Sequence, residues 1–152
     1  MEDDLFMDNL SKFSERLDEI MFEHQTSVSE LAKAIGTTKM TVYRYISKKR
    51  TPELFYLIKI SDYYNCSLDF LLGITDNNNM TSFKSTANFS ERFKRILEKY
   101  HTTEYFLHKA TGISRSVLYA WLSDNKLPSL DSLIKLSSYF DCSIDFLVGR
   151  EN

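Results

Sequence analysis

The second half of this chain repeats the first. Residues 13–76 align with residues 89–152 at a constant offset of 76 positions and without a gap, and 25 of the 64 aligned residues are identical. Self-similarity of this kind indicates one structural unit that occurs twice. We therefore expect two domains, which cover residues 13–76 and residues 89–152. An acidic segment, residues 1–12, precedes the first domain. A polar linker without periodicity, residues 77–88, joins the two domains. The acidic segment is either a frayed tail or an extra turn packed on the first domain.

Residues 29–46 contain two short helical patterns separated by a glycine. Apolar residues recur at helical spacing in both patterns: Leu31, Ala32 and Ile35 in the first, and Val42, Tyr45 and Ile46 in the second. Gly36 follows the first pattern, where a helix commonly ends in a left-handed residue. Thr38 precedes the second pattern, and its hydroxyl can cap free backbone amides. The stretch predicts two helices packed across a tight turn, a helix-turn-helix.

Three further helical patterns complete each repeat. The first helix of each repeat carries an apolar stripe: Phe13, Leu17, Ile20 and Met21, and again Phe89, Phe93, Ile96 and Leu97. The second helix begins after Ser27, and Glu30 completes a capping box with it. The fourth follows Pro52, which suits a first helical turn, and the fifth covers residues 68–72. Nothing alternates with a period of two over a useful length, so the expected fold class is all-α.

The spacing of the two helices and their turn resembles the helix-turn-helix of the phage Cro and repressor family, also called XRE-like. Residues 36–41 are similar to the entry into that family's recognition helix, Pro52 occupies the position of its proline, and residues 67–73 resemble its terminal helix. The resemblance implies two lambda-repressor-like five-helix DNA-binding domains in tandem. It further implies a transcriptional regulator, a repressor that occludes a promoter, with double-stranded DNA as its partner.

The resemblance also assigns DNA contacts to individual positions. The residues expected to read bases are Lys39, Met40, Thr41 and Arg44 in the first repeat, and Arg115, Ser116, Val117 and Ala120 in the second. The residues expected to contact phosphates are Thr38, Lys48, Lys49 and Arg50 in the first repeat, and Ser114 and Lys126 in the second. An arginine such as Arg44 can make a bidentate contact to guanine, and the methyl group of Thr41 can touch a thymine methyl.

The second repeat carries less positive charge at these positions. The basic residues 48–50 are replaced there by residues 124–126, which read Asp-Asn-Lys. Glu104 stands where the family usually has a phosphate-contacting glutamine, and a carboxylate would repel phosphate. His108 stands at the position of the small Ala32 in the first repeat, and we interpret it as a packing substitute.

Two roles for the second repeat follow from these differences. Both repeats could contact one DNA face as a pseudo-dimer that reads two different half-sites roughly 34 Å apart, since 12 extended linker residues reach about 40 Å. Alternatively the second domain holds a protein partner or a second copy of the chain. Three aromatic residues are candidates for such an exposed interface: Tyr105, Phe106 and Tyr119.

Charge and composition limit the remaining functions. The net charge is −2, but residues 1–12 carry −3 of it, which leaves +1 for the rest. No apolar run approaches the roughly 20 residues of a membrane span, and the acidic start does not suit a signal peptide. A cytoplasmic protein is therefore expected, and the family resemblance implies a bacterial or phage protein associated with the nucleoid.

No catalytic function is expected from the sequence. Cys66 and Cys142 have no metal-ligand spacing with each other or with the histidines, and we expect both to be buried thiols. No nucleophile–base pair or phosphate loop is recognisable, so neither an enzyme, a metal site nor a small-molecule cofactor is expected. The alternative to a DNA-binding regulator is a protein-interaction module, such as an antirepressor, that does not bind DNA.

Overall fold

The computed structural model describes residues 2–78, 88–123 and 126–151, which form ten α-helices and no β-strand. The all-α prediction is confirmed. Backbone contacts divide the chain into two compact units, residues 1–80 and 81–152. The first unit contains α1 (Glu2–Glu23), α2 (Val28–Ile35), α3 (Lys39–Ile46), α4 (Leu54–Tyr64) and α5 (Leu68–Leu71). The second contains α6 (Phe89–Lys99), α7 (Glu104–Thr111), α8 (Arg115–Ser123), α9 (Leu130–Phe140) and α10 (Ile144–Leu147). None of the helices in the described ranges has the length and apolar character needed to cross a membrane.

Helix α1 is twice as long as its counterpart α6. It begins at Glu2, so residues 2–12 continue the first helix. Asn9 is buried, and a Cβ atom at Gly73 would lie only 2.6 Å from Lys12 Cβ. Gly73 has a φ of +71°, so this close approach and its left-handed backbone both require glycine. Residues 2–12 thus extend α1, and the end of this extension packs on the first domain, with Lys12 beside Gly73 just after α5.

The core of the first unit holds α3 against α1 and α2. Helix α2 contacts α3 and α4, and α1 contacts α3 and α5. Tyr45 of α3 is fully buried, its ring edge-on to Phe13 of α1 with 6.1 Å between centroids. Ser14 of α1 also donates a hydrogen bond to the Tyr45 carbonyl at 2.6 Å. Apolar packing and one directional bond therefore orient α3.

The fourth helix follows Pro52, as predicted, but Pro52 does not lie in its first turn. Helix α4 begins at Leu54, and Glu53 is its N-cap. Because Glu53 keeps an extended backbone, with φ −69° and ψ 156°, the chain enters the helix only after it. Pro52 is instead buried in the preceding loop.

The second unit repeats this architecture with different packing details. Asn88, the last residue of the predicted linker, caps α6 by accepting hydrogen bonds from the Ser90 and Glu91 amides, whereas residues 79–87 lie outside the described ranges. Trp121 takes the place of Tyr45 and packs edge-on against the rings of Phe89 and Phe93. The Ser90 hydroxyl of α6 donates a hydrogen bond to the Leu122 carbonyl of α8 and so connects the two helices.

The thiols and charges of the two units also differ. The predicted burial of the thiols is confirmed for Cys66, but Cys142 is only half-buried. Near α10, Arg150 and Asp145 form an ion pair at 2.9 Å in which both side chains are 1% exposed. Ile74 occupies the position of Arg150 in the first unit and is largely exposed.

Candidate nucleic-acid interface

Local chemistry builds the turn between α2 and α3. Ser27 caps α2 by accepting a hydrogen bond from the Glu30 amide, as predicted. Gly36 ends α2 in the left-handed region with φ +77° and ψ 37°. Thr38 then caps α3 by accepting a hydrogen bond from the Thr41 amide at 3.2 Å. The helix-turn-helix is therefore present where the sequence predicts it.

The outward face of α3 presents four exposed side chains. Lys39, Met40 and Arg44 are exposed, as expected for base-reading residues. Tyr43, which is missing from the predicted set, is 55% exposed on the same face. Its position follows from the helical repeat, because a residue three or four positions after two exposed residues faces the same way.

Thr41 differs from the other predicted readers. It is only 8% exposed, and its hydroxyl lies 3.0 Å from the Thr38 hydroxyl. Thr38 itself is exposed at the N-terminal end of α3, where free backbone amides and the helix dipole favour an anion. Of the candidate readers in the first domain, Thr41 has the least surface to offer a base.

Three basic residues follow α3 directly. Lys48 adopts a left-handed backbone with φ +64°, and the amides of Lys49 and Arg50 both donate to the Arg44 carbonyl, at 2.9 and 3.2 Å. All three side chains are exposed. Lys48 Nζ lies 3.2 Å from Glu15 Oε1, an exposed ion pair that is weak in water and can be exchanged for a phosphate.

The second helix-turn-helix uses different contacts around the same turn. Gly112 ends α7 with φ +75°. His108, half-buried, has Nδ1 at 2.7 Å from the Ile113 carbonyl, so it bridges α7 to the turn and does more than fill the space at Ala32 in the first domain. Buried Thr111 donates its hydroxyl to the Leu107 carbonyl at 2.7 Å, which satisfies this polar substitution within the helix.

A polar chain occupies the outward face of α8. Arg115 donates from its guanidinium to the Tyr119 hydroxyl at 3.2 Å, and this hydroxyl donates to Glu104 Oε1 at 3.1 Å. The guanidinium carbon also lies 5.8 and 5.7 Å from the ring centroids of Tyr105 and Tyr119. Arg115, the charged base reader predicted for this repeat, is thus part of a network that includes a carboxylate.

The remaining candidates of the second repeat lie around this network. Ser116 and Val117 are exposed, and Ala120 is half-buried. Ser114 is exposed and accepts a hydrogen bond from the Val117 amide at 3.3 Å, so it caps α8 much as Thr38 caps α3. Lys126 is exposed, whereas residues 124–125 lie outside the described ranges.

The described residues bring no group of three or more His, Cys, Asp or Glu side chains together as a metal site would. The interface consists of helix faces and basic side chains.

Comparison with known proteins agrees with this geometry. The helix-turn-helix family model matches two segments, residues 23–71 and 93–147, which together cover more than half of the chain. The chain therefore belongs to the helix-turn-helix family, with the motif present in tandem. Each matched segment contains one of the two helix–turn–helix units described above.

A curated relative is the Bacillus subtilis (strain 168) protein YobD, which is named an uncharacterized HTH-type transcriptional regulator. It is 29% identical over 65 residues, which are 43% of this chain and 58% of YobD. The chain thus matches little more than half the length of this relative. No solved structure matches the chain significantly.

Proposed function

We propose that this protein is a sequence-specific DNA-binding transcriptional repressor whose first domain reads the operator through α3. The observation that carries the proposal is the concentration of cations on and directly after this helix. Five positions there are basic: Lys39, Arg44, Lys48, Lys49 and Arg50. At the equivalent positions of the second repeat only Arg115 and Lys126 are basic, and Asp124 is acidic.

The dimensions of α3 suit the major groove. The groove is roughly 12 Å wide and admits an α-helix, which enters with its N-terminal residues towards the base edges. Lys39, Met40, Tyr43 and Arg44 would then face the bases. Arg44 is the candidate for a bidentate contact to guanine, the commonest specific contact in protein–DNA complexes. Thr41 would contribute its methyl group only at the margin of the interface.

Phosphate contacts would come from both ends of α3. Thr38 at the N-terminal end and Lys48, Lys49 and Arg50 after the C-terminal end would flank the groove. Such contacts position a domain without reading sequence, and they make binding dependent on salt. Because the whole chain carries a net charge of −2, general affinity should be low and useful binding should require a specific site. Repression would follow from occlusion of a promoter, and the protein would reside with the nucleoid in a bacterial cytoplasm.

The second domain has two candidate roles in this proposal. In a pseudo-dimer it would read its own half-site through Arg115, Ser116, Val117 and Ala120, with Ser114 and Lys126 on phosphates. The Glu104–Tyr119–Arg115 chain disfavours this role, because it places a carboxylate beside the cation that would face DNA. As a partner or dimer module it would leave reading to the first domain.

Selection of bound sequences from a random DNA pool, at low and at physiological salt, tests these roles. One enriched motif or its palindrome is expected if the first domain alone reads DNA. Two dissimilar motifs at a fixed spacing would instead assign reading to both domains. No enrichment at either salt would contradict a DNA-binding regulator and favour a protein-interaction module such as an antirepressor.

A further inference from the structure

The second domain exposes an apolar surface beside its turn. This surface, called here the α7–α8 surface, consists of four exposed side chains of α7 and α8, and the Arg115 guanidinium lies near two of its rings, 5.8 Å from the Tyr105 centroid and 5.7 Å from the Tyr119 centroid. Their exposed fractions are 47% for Tyr105, 61% for Phe106, 40% for Val117 and 44% for Tyr119. Aromatic side chains of this size offer on the order of 300 Å² of accessible area when half exposed, which is as large as the largest apolar patch of an ordinary monomer.

The fold does not require this surface. The first domain has the same helices and turn, but its equivalent residues are Ser29, Glu30, Thr41 and Tyr43. Ser29 and Glu30 are exposed and polar, so α2 needs no aromatic residue at these positions to pack on α3 and α4. The aromatic residues of α7 are therefore not needed for the packing of the domain and are available to a partner.

The charges of the α7–α8 surface suit a protein more than DNA. Glu104 accepts from Tyr119, which in turn accepts from Arg115. Lys109 Nζ lies 5.7 Å from the ring centroid of Tyr105. Tyrosine, phenylalanine and arginine are the residues enriched in protein interfaces, whereas a carboxylate in this place would repel phosphate.

We propose that two copies of this chain associate through the α7–α8 surface. A two-fold symmetric contact must be self-complementary, and this surface carries its carboxylate beside its cations. A two-fold axis can therefore set Glu104 of one protomer against Arg115 or Lys109 of the other while the aromatic rings pack between them. The basic face of α3 does not suit such a symmetric contact, because the like charges of the two copies would repel each other.

The size of the surface determines the strength of the dimer. It is smaller than the roughly 800 Å² that each partner buries in a standard interface, so the dimer is weak in solution. The role of the dimer rests on the proposed function: it would present two first domains, one from each protomer, to a palindromic operator. Once both are bound, the contact becomes intramolecular and raises the avidity for that operator.

Sedimentation velocity of the full chain up to about 100 µM, where even a weak dimer is populated, tests the proposal. The test variant is Phe106→Glu, which introduces the residue that the first domain carries at position 30. The matched control is Phe55→Asp: Phe55 is 50% exposed on α4, and its second-domain equivalent is Asp131. Tyr105→Ser, which introduces the residue at position 29, is an independent second variant. Thermal unfolding followed by circular dichroism checks that each variant folds.

Wild type and Phe55→Asp should move from a 17.8 kDa monomer towards a dimer as concentration rises. Phe106→Glu and Tyr105→Ser should each weaken the association at least about tenfold. A wild type that stays monomeric, folded surface variants that dimerise like wild type, or an equal loss in Phe55→Asp would each overturn the proposal.

Binding to a single half-site separates this proposal from the proposed function. Phe106→Glu should keep wild-type affinity for one half-site and lose the steep binding to a palindrome. If neither wild type nor Phe106→Glu binds any DNA, the proposed function is wrong. The sedimentation experiment then still shows whether two copies of the chain associate.

Discussion

Ser14 of α1 donates a hydrogen bond from its hydroxyl to the backbone carbonyl of Tyr45, 2.6 Å away at the end of α3. Ser90 makes the same type of bond to the Leu122 carbonyl, also at 2.6 Å. The last carbonyls of a helix lack the usual partner four residues on, and the Lys48 amide reaches the Tyr45 carbonyl only at 3.4 Å, so the serine supplies the shortest bond to this group. In both domains a serine of the first helix thus anchors the C-terminal end of the third helix.

Replacing Ser14 with alanine should destabilise the first domain. The change removes the short Ser14 bond and leaves the Tyr45 carbonyl with only the long 3.4 Å bond from the Lys48 amide and a bond from the Ser47 amide, which should cost about 1 kcal/mol. Urea denaturation followed by circular dichroism measures the loss in the free energy of unfolding. The control is Ser47→Ala, because Ser47 is exposed and its hydroxyl makes a long 3.4 Å contact to the Arg44 carbonyl. Equal stability of wild type and Ser14→Ala would show that the anchor contributes nothing.

Arg44 and Lys49 should affect DNA binding in different ways. Arg44→Ala should cost about 1–3 kcal/mol of binding and relax the preference at one base pair, whereas Lys49→Ala should weaken all sequences alike. Arg115→Ala should cost less than Arg44→Ala, because Arg115 is held by Tyr119 beside a carboxylate. Fluorescence anisotropy with a single half-site of the selected operator, where the proposed dimer contributes no avidity, and with its single-base variants distinguishes these outcomes. If Arg115→Ala costs as much as Arg44→Ala, the two domains read DNA equally.

The ion pair between Arg150 and Asp145 should be required for stability of the second domain. Both side chains are 1% exposed, so Arg150→Ala leaves a buried carboxylate without its cation and should cost about 3–5 kcal/mol. Denaturation should show most of this loss restored in the double variant Asp145→Leu with Arg150→Met, which replaces the pair by apolar groups. Ile74→Ala at the equivalent, exposed position should change stability by less than about 0.5 kcal/mol. A small loss in Arg150→Ala would contradict the assignment.

Tyr45 should make the first domain sensitive to alkali. Burial raises the pKa of the Tyr45 phenol above its ordinary value of 10.0 and outweighs the opposing effect of the Arg50 cation. The contribution of the protonated Tyr45 phenol to the free energy of unfolding is therefore fully present below pH 10. It is lost as the pH rises from 10 through the pKa of the folded state, because the phenol of the unfolded chain ionises first.

Tyr45→Phe should therefore lose less stability than wild type between pH 9 and pH 11. Among the described residues the Tyr45 hydroxyl has no hydrogen-bond partner, so at pH 7 the change should be neutral or stabilising by up to about 1 kcal/mol. Thermal unfolding at a series of pH values measures both effects. Tyr43→Phe is the control, because Tyr43 is 55% exposed. A parallel loss in wild type and Tyr45→Phe would contradict this assignment.

The helix ends of the recognition motif were predictable because their physics is local. Ser27, Gly36 and Thr38 act on backbone groups within five residues, and all three occupy the predicted cap positions. Pro52 precedes α4 as predicted, but its preference for a first helical turn did not reveal the extended backbone of Glu53, which keeps it outside that turn. Tyr43 could have been found from the same 3.6-residue repeat that identified Lys39 and Arg44.

The sequence by itself determined the duplication, the all-α class and the position of both helix-turn-helix motifs, since each depends on periodicity and short spacing. Only the tertiary structure decided which cations have partners. Lys48 meets Glu15 from 33 residues away, and Arg115 meets Glu104 through Tyr119 across two helices. Such contacts depend on how the helices pack. The spacing of residues along one helix does not reveal which side chains of another helix lie beside them. The lower positive charge of the second repeat is visible in the sequence, whereas the engagement of Arg115 by Tyr119 and Glu104 became visible only in three dimensions.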